Sequence, residues 1–128
     1  MDLVNNINLT NLTDFLKSFK TRDELIKFVL NRGILFTTDE TLNLTIFRYN
    51  REHPSCNFED PFTRFCRGLI VDHDNNIVCL PPVKHVSFDT LQYDAFENLL
   101  VEDFIDGTMI NMFYYGEKWH IATRSKIG

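Results

Sequence analysis

The chain has 128 residues, 44% of them hydrophobic, which suffices for one globular domain with a true core and leaves no room for a second of ordinary size. Twelve Phe, four Tyr and one Trp, with few Gly and Pro, argue against disorder and repeat arrays. A formal charge of −5 argues against a broad electrostatic surface for nucleic acid, because such binding neutralises many phosphates with Lys and Arg, and leaves room only for a local basic patch.

The start, Met1-Asp2-Leu3-Val4-Asn5-Asn6, lacks the charged and apolar regions of a secretory signal, and no run reaches membrane-spanning length. An intracellular protein without membrane contact is expected. Cys56, Cys66 and Cys79 are odd in number and lack a Cys-x-x-Cys spacing, so they read as reduced thiols, and with His53, His73, His85 and His120 they form no zinc-ligand pattern. The sequons at Asn8, Asn11 and Asn43 carry no weight without secretion.

Leu12, Phe15, Leu16 and Phe19 recur at helical spacing and predict a first amphipathic helix from Thr10 or Asn11. Thr21-Arg22-Asp23-Glu24 is a capping box, opening a second helix with Leu25, Phe28 and Val29 inward and Gly33 as its stop. Leu42 to Tyr49 alternates apolar and polar residues as a half-buried strand does. Asn50 to Pro61 reads as a surface loop.

Phe65 to Asp72 and Ile77 to Leu80 read as two strands joined by His73-Asp74-Asn75-Asn76 in a hairpin. Asp72, Asp74 and Asn76 imitate the start of a calcium loop, but Ile77 stands at its glycine position and Val83 at its final glutamate, so turn chemistry is expected instead. Asp89 to Glu102 fits a short helix or an irregular connection. Thr108 to Tyr115 and Lys118 to Thr123 predict a second hairpin across Gly116-Glu117. The expected class is α+β, with residues 1–33 helical and residues 42–128 mainly antiparallel sheet.

Four segments share one likeness. Asp103-Phe104-Ile105-Asp106-Gly107-Thr108 resembles the Lys-x-Asp-Gly signature of covalent nucleotidyltransferases, with Phe104 at the nucleophile position. Arg67-Gly68-Leu69-Ile70-Val71 resembles the Arg-Gly-apolar stretch of phage-type RNA ligases, and Pro81-Pro82-Val83-Lys84-His85 their Pro-x-x-Lys-aromatic element. Ala122-Thr123-Arg124-Ser125-Lys126 is similar to the basic ending of the hairpin that follows the signature. Ile46 to Asn50 also resembles the strand that opens the catalytic domain of the T-even phage ligase. The chain thus resembles the N-terminal part of an ATP-dependent RNA ligase over its last two-thirds.

In that family a lysine attacks the α-phosphate of ATP, and the lysyl-adenylate is passed to an RNA 5′-phosphate and displaced by a 3′-hydroxyl, with Mg²⁺ offsetting phosphate charge. The resemblance therefore implies ATP and Mg²⁺ as cofactors and RNA as a partner. It also implies nucleotide-binding roles for Arg67, Gly68, Lys84, Asp106, Gly107 and Arg124. Arg67 and Arg124 would hold phosphate or ribose oxygens, Lys84 would add charge, and Asp106-Gly107 would shape the turn beside the nucleophile. Each has an ordinary reading as well: an ion-paired strand-edge Arg67, a surface Lys84, a simple hairpin turn at Asp106-Gly107 and a solvated Arg124.

A phenyl ring cannot attack phosphorus, and no lysine occurs between Lys84 and Lys118, so covalent adenylation is expected to be absent and no catalytic residue to be intact. The chain also stops before the family's metal-binding glutamates and paired lysines, which predicts a fragment of a larger polypeptide or a natural truncation. Three functions fit these residues. The first is a degenerate ligase-like module that binds without reacting, in the cytoplasm or a virus particle; the second is the N-terminal part of a working RNA ligase. The third is a structural component of a particle that associates with itself or a larger protein through an unpaired sheet edge.

Overall fold

Apolar residues at i, i+3 and i+4 close the first helix, α1 (Leu12–Lys17), burying Leu12, Phe15 and Leu16 in a computed structural model that describes residues 7–85, 100–103 and 105–128. Ahead of α1, the Asn8 carboxamide oxygen accepts the N–H groups of Thr10 and Asn11. The second helix, α2 (Arg22–Leu30), opens on Thr21, whose hydroxyl accepts the Glu24 N–H at 3.2 Å. The Glu24 carboxylate takes the N–H of Lys20 at 3.0 Å, one residue earlier than a full capping box would. Leu25 and Val29 are buried, and the rings of Phe15, Phe19, Phe28 and Phe62 pack with centroids 5.2–5.7 Å apart.

A strand absent from the sequence reading follows: β1 (Ile34–Asp39), paired antiparallel with β2 (Leu44–Tyr49) from Ile34↔Tyr49 to Asp39↔Leu44. Phe36 and Thr37 stay exposed on this edge strand, which blurs the alternation that would announce it. The expected half-buried character of the next strand is corrected too. Every residue of β2 except Arg48 is buried, because β2 is central in the sheet and both its faces are covered.

The presumed loop after β2 ends in a short helix, α3 (Pro61–Phe65), and this moves the start of the next strand from Phe65 to Arg67. Asp60 caps α3, accepting the Phe62 N–H and the Thr63 hydroxyl, and pairs with Arg32 at 2.6 Å. Then come β3 (Arg67–Val71) and β4 (Ile77–Cys79), giving the antiparallel order β1-β2-β3-β4. Turn chemistry joins them: the Asp72 carboxylate accepts the N–H groups of Asp74 and Asn76, each at 2.9 Å, and Asn75 takes a positive φ. Buried Asn75 also donates from Nδ2 to the carbonyls of Phe19 and Thr21, tying this turn to the link between α1 and α2.

The last pair, β5 (Asn111–Tyr115) and β6 (Lys118–Ala122), forms a separate two-stranded sheet. Gly116 and Glu117 both have positive φ, 58° and 67°, as a two-residue type I′ turn demands. Alternate residues of the four-stranded sheet face two apolar clusters. Phe47, Leu69 and Val71 meet the helices with Leu16, Leu25 and Phe62, whereas Leu44, Ile46 and Ile70 meet the hairpin through Phe113, Ala122 and Ile127. The result is an α+β arrangement with helices on one face of the sheet and a hairpin on the other.

The three cysteines are free thiols, with burial pushing that of Cys66 well up. Among the described residues no helix is long and apolar enough to cross a membrane. Phe104 and most of the stretch Asp89–Glu102 lie outside the described residues.

Candidate functional site

The site is built on an irregularity in the sheet. Phe47 pairs with Leu69 but Arg48 pairs with Arg67, so Gly68 is the extra residue of a β-bulge, at φ +103°. A Cβ placed there would stand 3.1 Å from the Cα of Arg124 and 3.5 Å from its carbonyl oxygen. Glycine thus lets the segment after β6 run directly against β3. That segment is held as a turn by the Thr123 N–H on the Lys126 carbonyl at 2.9 Å and by the Ala122↔Ile127 bridge.

The close approach gives Arg67 and Arg124 a common cleft of about 440 Å³, lined also by Gly107, Thr108, Met109, Thr123 and Ser125. Two arginines and three hydroxyl-bearing residues line it, with no carboxylate and no lysine among the described lining residues. Arg67 Nη1 donates to the Val83 carbonyl at 3.4 Å, while its buried Nε has no hydrogen-bond partner. The ion pairs among the described residues are Arg32–Asp60 and His73–Asp74, so no described carboxylate pairs with Arg67 or Arg124.

Next to this cleft lies a group that sequence reasoning overlooked. Tyr49 ends β2, and burial pushes its hydroxyl up; the hydrogen bond from Arg51 and the charges of Arg51, Arg67 and Arg124 outweigh that and bring it below the ordinary tyrosine value. Arg51 lies 5.7 Å from the Tyr49 ring, and Phe58 packs edge-on against that ring at 4.8 Å. A concentration of positive charge therefore stands on an otherwise acidic chain. The signal in the sequence was slight: Arg51 follows the strand by two residues, inside what reads as a loop.

The predicted site residues divide. Arg67, Gly107 and Arg124 line one cleft and Gly68 brings its walls together. Asp106 is exposed and is not part of the lining. Gly107 has open space where a Cβ would stand, whereas a close backbone approach occurs at Gly68. Lys84 sits to one side, its Nζ 4.6 Å from the Phe58 ring centroid and donating to the His85 carbonyl at 3.2 Å, its N–H on the Arg64 carbonyl.

Two arginines with no carboxylate partner among the described residues, beside hydroxyl donors, suit a phosphate through charge-assisted bonds in planar geometry. The residues present fit the anionic part of ATP. The described residues do not fit Mg²⁺: none of those lining the cleft is a carboxylate, and no group of three or more His, Cys, Asp or Glu among the described residues could hold a metal ion. No family model, curated protein or solved structure matches this chain.

Proposed function

We propose that this chain is an RNA-ligase-like nucleotidyltransferase domain that keeps the phosphate-gripping part of its site and lacks the covalent step. It acts as a non-covalent binder of the phosphate group of a nucleotide or of an RNA end, in the cytoplasm or in a virus particle. The observation that carries this reading is the Gly68 bulge, which sets Arg124 beside Arg67 in one cleft with no carboxylate among its described lining residues. An incidental surface arginine has no need of a glycine bulge to position its neighbour. The sequence adds that Phe104 offers no amine at the signature, and the described lining residues of the cleft include no lysine.

Calorimetric titration with ATP, without and with Mg²⁺, tests the reading. Binding is expected in both conditions, and Arg67→Ala and Arg124→Ala are each expected to weaken it by roughly ten- to a hundredfold, the worth of one charge-assisted contact. Incubation with radiolabelled ATP should leave no acid-stable label. Affinity indifferent to both substitutions would overturn the phosphate site, and a covalent adenylate would overturn the non-covalent assignment.

A further inference from the structure

The inner face of the β5–β6 hairpin is spent on the core, but its outer face is apolar as well. Met112 pairs with Ile121 and Tyr114 with Trp119 across the strands, the last two rings edge to face at 5.4 Å, and Ile110 extends the row. These five large side chains are 53–65% exposed. Together they present roughly 600–700 Å² of surface, above the few hundred Å² usual for the largest patch on a monomer and near the ~800 Å² that each partner contributes to a stable interface.

We propose that this face is the contact surface of a homodimer. The stripe carries no charge, so two copies of an acidic chain can meet across it without setting like charges opposite one another. Its composition of Trp, Tyr and Met is that of interface centres. A twofold axis through the stripe makes the contact isologous, each copy offering the same uncharged side chains to the other. The association expected at a sheet edge is thereby assigned to a sheet face. It is independent of phosphate binding.

Trp119 is the only tryptophan of the chain and lies within the stripe, so its emission reports the contact directly. Sedimentation velocity of the full chain over the micromolar range should show a species of twice the 15.1 kDa chain mass that dissociates on dilution, with Trp119 emission shifting to the red in step. Met112→Lys and Trp119→Lys, on opposite strands and both solvent-facing, should each weaken association at least tenfold while far-UV dichroism stays unchanged. Red-shifted tryptophan emission is lost as a reporter in Trp119→Lys, so that variant is read by sedimentation alone. A monomer at several hundred micromolar overturns the proposal, as does a dimer that survives both substitutions. Species growing beyond the dimer would point to edge-to-edge pairing instead. Quenching of monomeric Trp119 by a single-stranded oligonucleotide would assign the face to base stacking, also against the proposal.

Discussion

Replacing Gly68 by alanine perturbs the one position on which both the sheet and the cleft depend. The backbone there has φ +103°, where a residue with a Cβ carries strain of about 1–3 kcal/mol. The new methyl would also stand 3.1 Å from Arg124 Cα, tight enough to force the segment after β6 outward by a few tenths of an ångström. A loss of ~2–3 kcal/mol of stability is expected, together with at least tenfold weaker binding of ATP as Arg124 moves away from Arg67. Urea unfolding and calorimetric titration on the same samples measure the two effects. Gly116→Ala is the control: φ is +58° and nothing lies within 4 Å of the added carbon, so a cost of ~1 kcal/mol and unchanged affinity are expected. A Gly68→Ala protein as stable as the parent would refute the strain; one that is destabilised but binds ATP as before would refute the coupling of bulge to cleft.

Titration of Tyr49, followed by NMR of carbon-labelled tyrosine, should show its hydroxyl ionising below the ordinary tyrosine value, and saturation with ATP should raise it as the anion offsets the surrounding arginines. Because the folded value lies below the unfolded one, the stability linked to this group is present above the unfolded pKa and is lost as pH falls through the folded pKa. Phe62→Ala removes a fully buried ring that packs against Phe15 and Phe28, and should cost about 3–5 kcal/mol in urea unfolding. A cost below ~1 kcal/mol would mean that the aromatic cluster repacks around the gap.

Features encoded by a few neighbouring residues were legible. Thr21 with Glu24 announced α2, Asp72 to Asn76 announced a turn rather than a calcium loop, and Gly116-Glu117 announced the last hairpin. β1 escaped because an edge strand with Phe36 facing solvent has no clean period, and α3 escaped because Asp60-Pro61 reads equally well as part of a loop. Arg67, Gly107 and Arg124 were each named in advance, but what joins Arg67 to Arg124 is a slip in register between β2 and β3, which no local spacing encodes. Tyr49 enters the cluster through the pairing of β2 with β3, and Arg51 follows it by two residues. Lys84 shows the converse: the motif singled it out, yet Phe58 holds its ammonium group away from the cleft lining.

Asn75 joins parts of the chain that local forces leave independent. Its side-chain amide reaches the carbonyls of Phe19 and Thr21, and nearby Lys17 Nζ donates to the Asp74 carbonyl at 3.2 Å. Two short helices have little tendency to persist alone in water. Their link is fastened to a turn more than fifty positions away in sequence, so they cannot come away without breaking part-buried hydrogen bonds to the β3–β4 turn. Amide protons of α1, α2 and the β3–β4 pair should therefore exchange with solvent in a single cooperative opening, making the N-terminal helices part of the last structure to melt rather than the first to loosen.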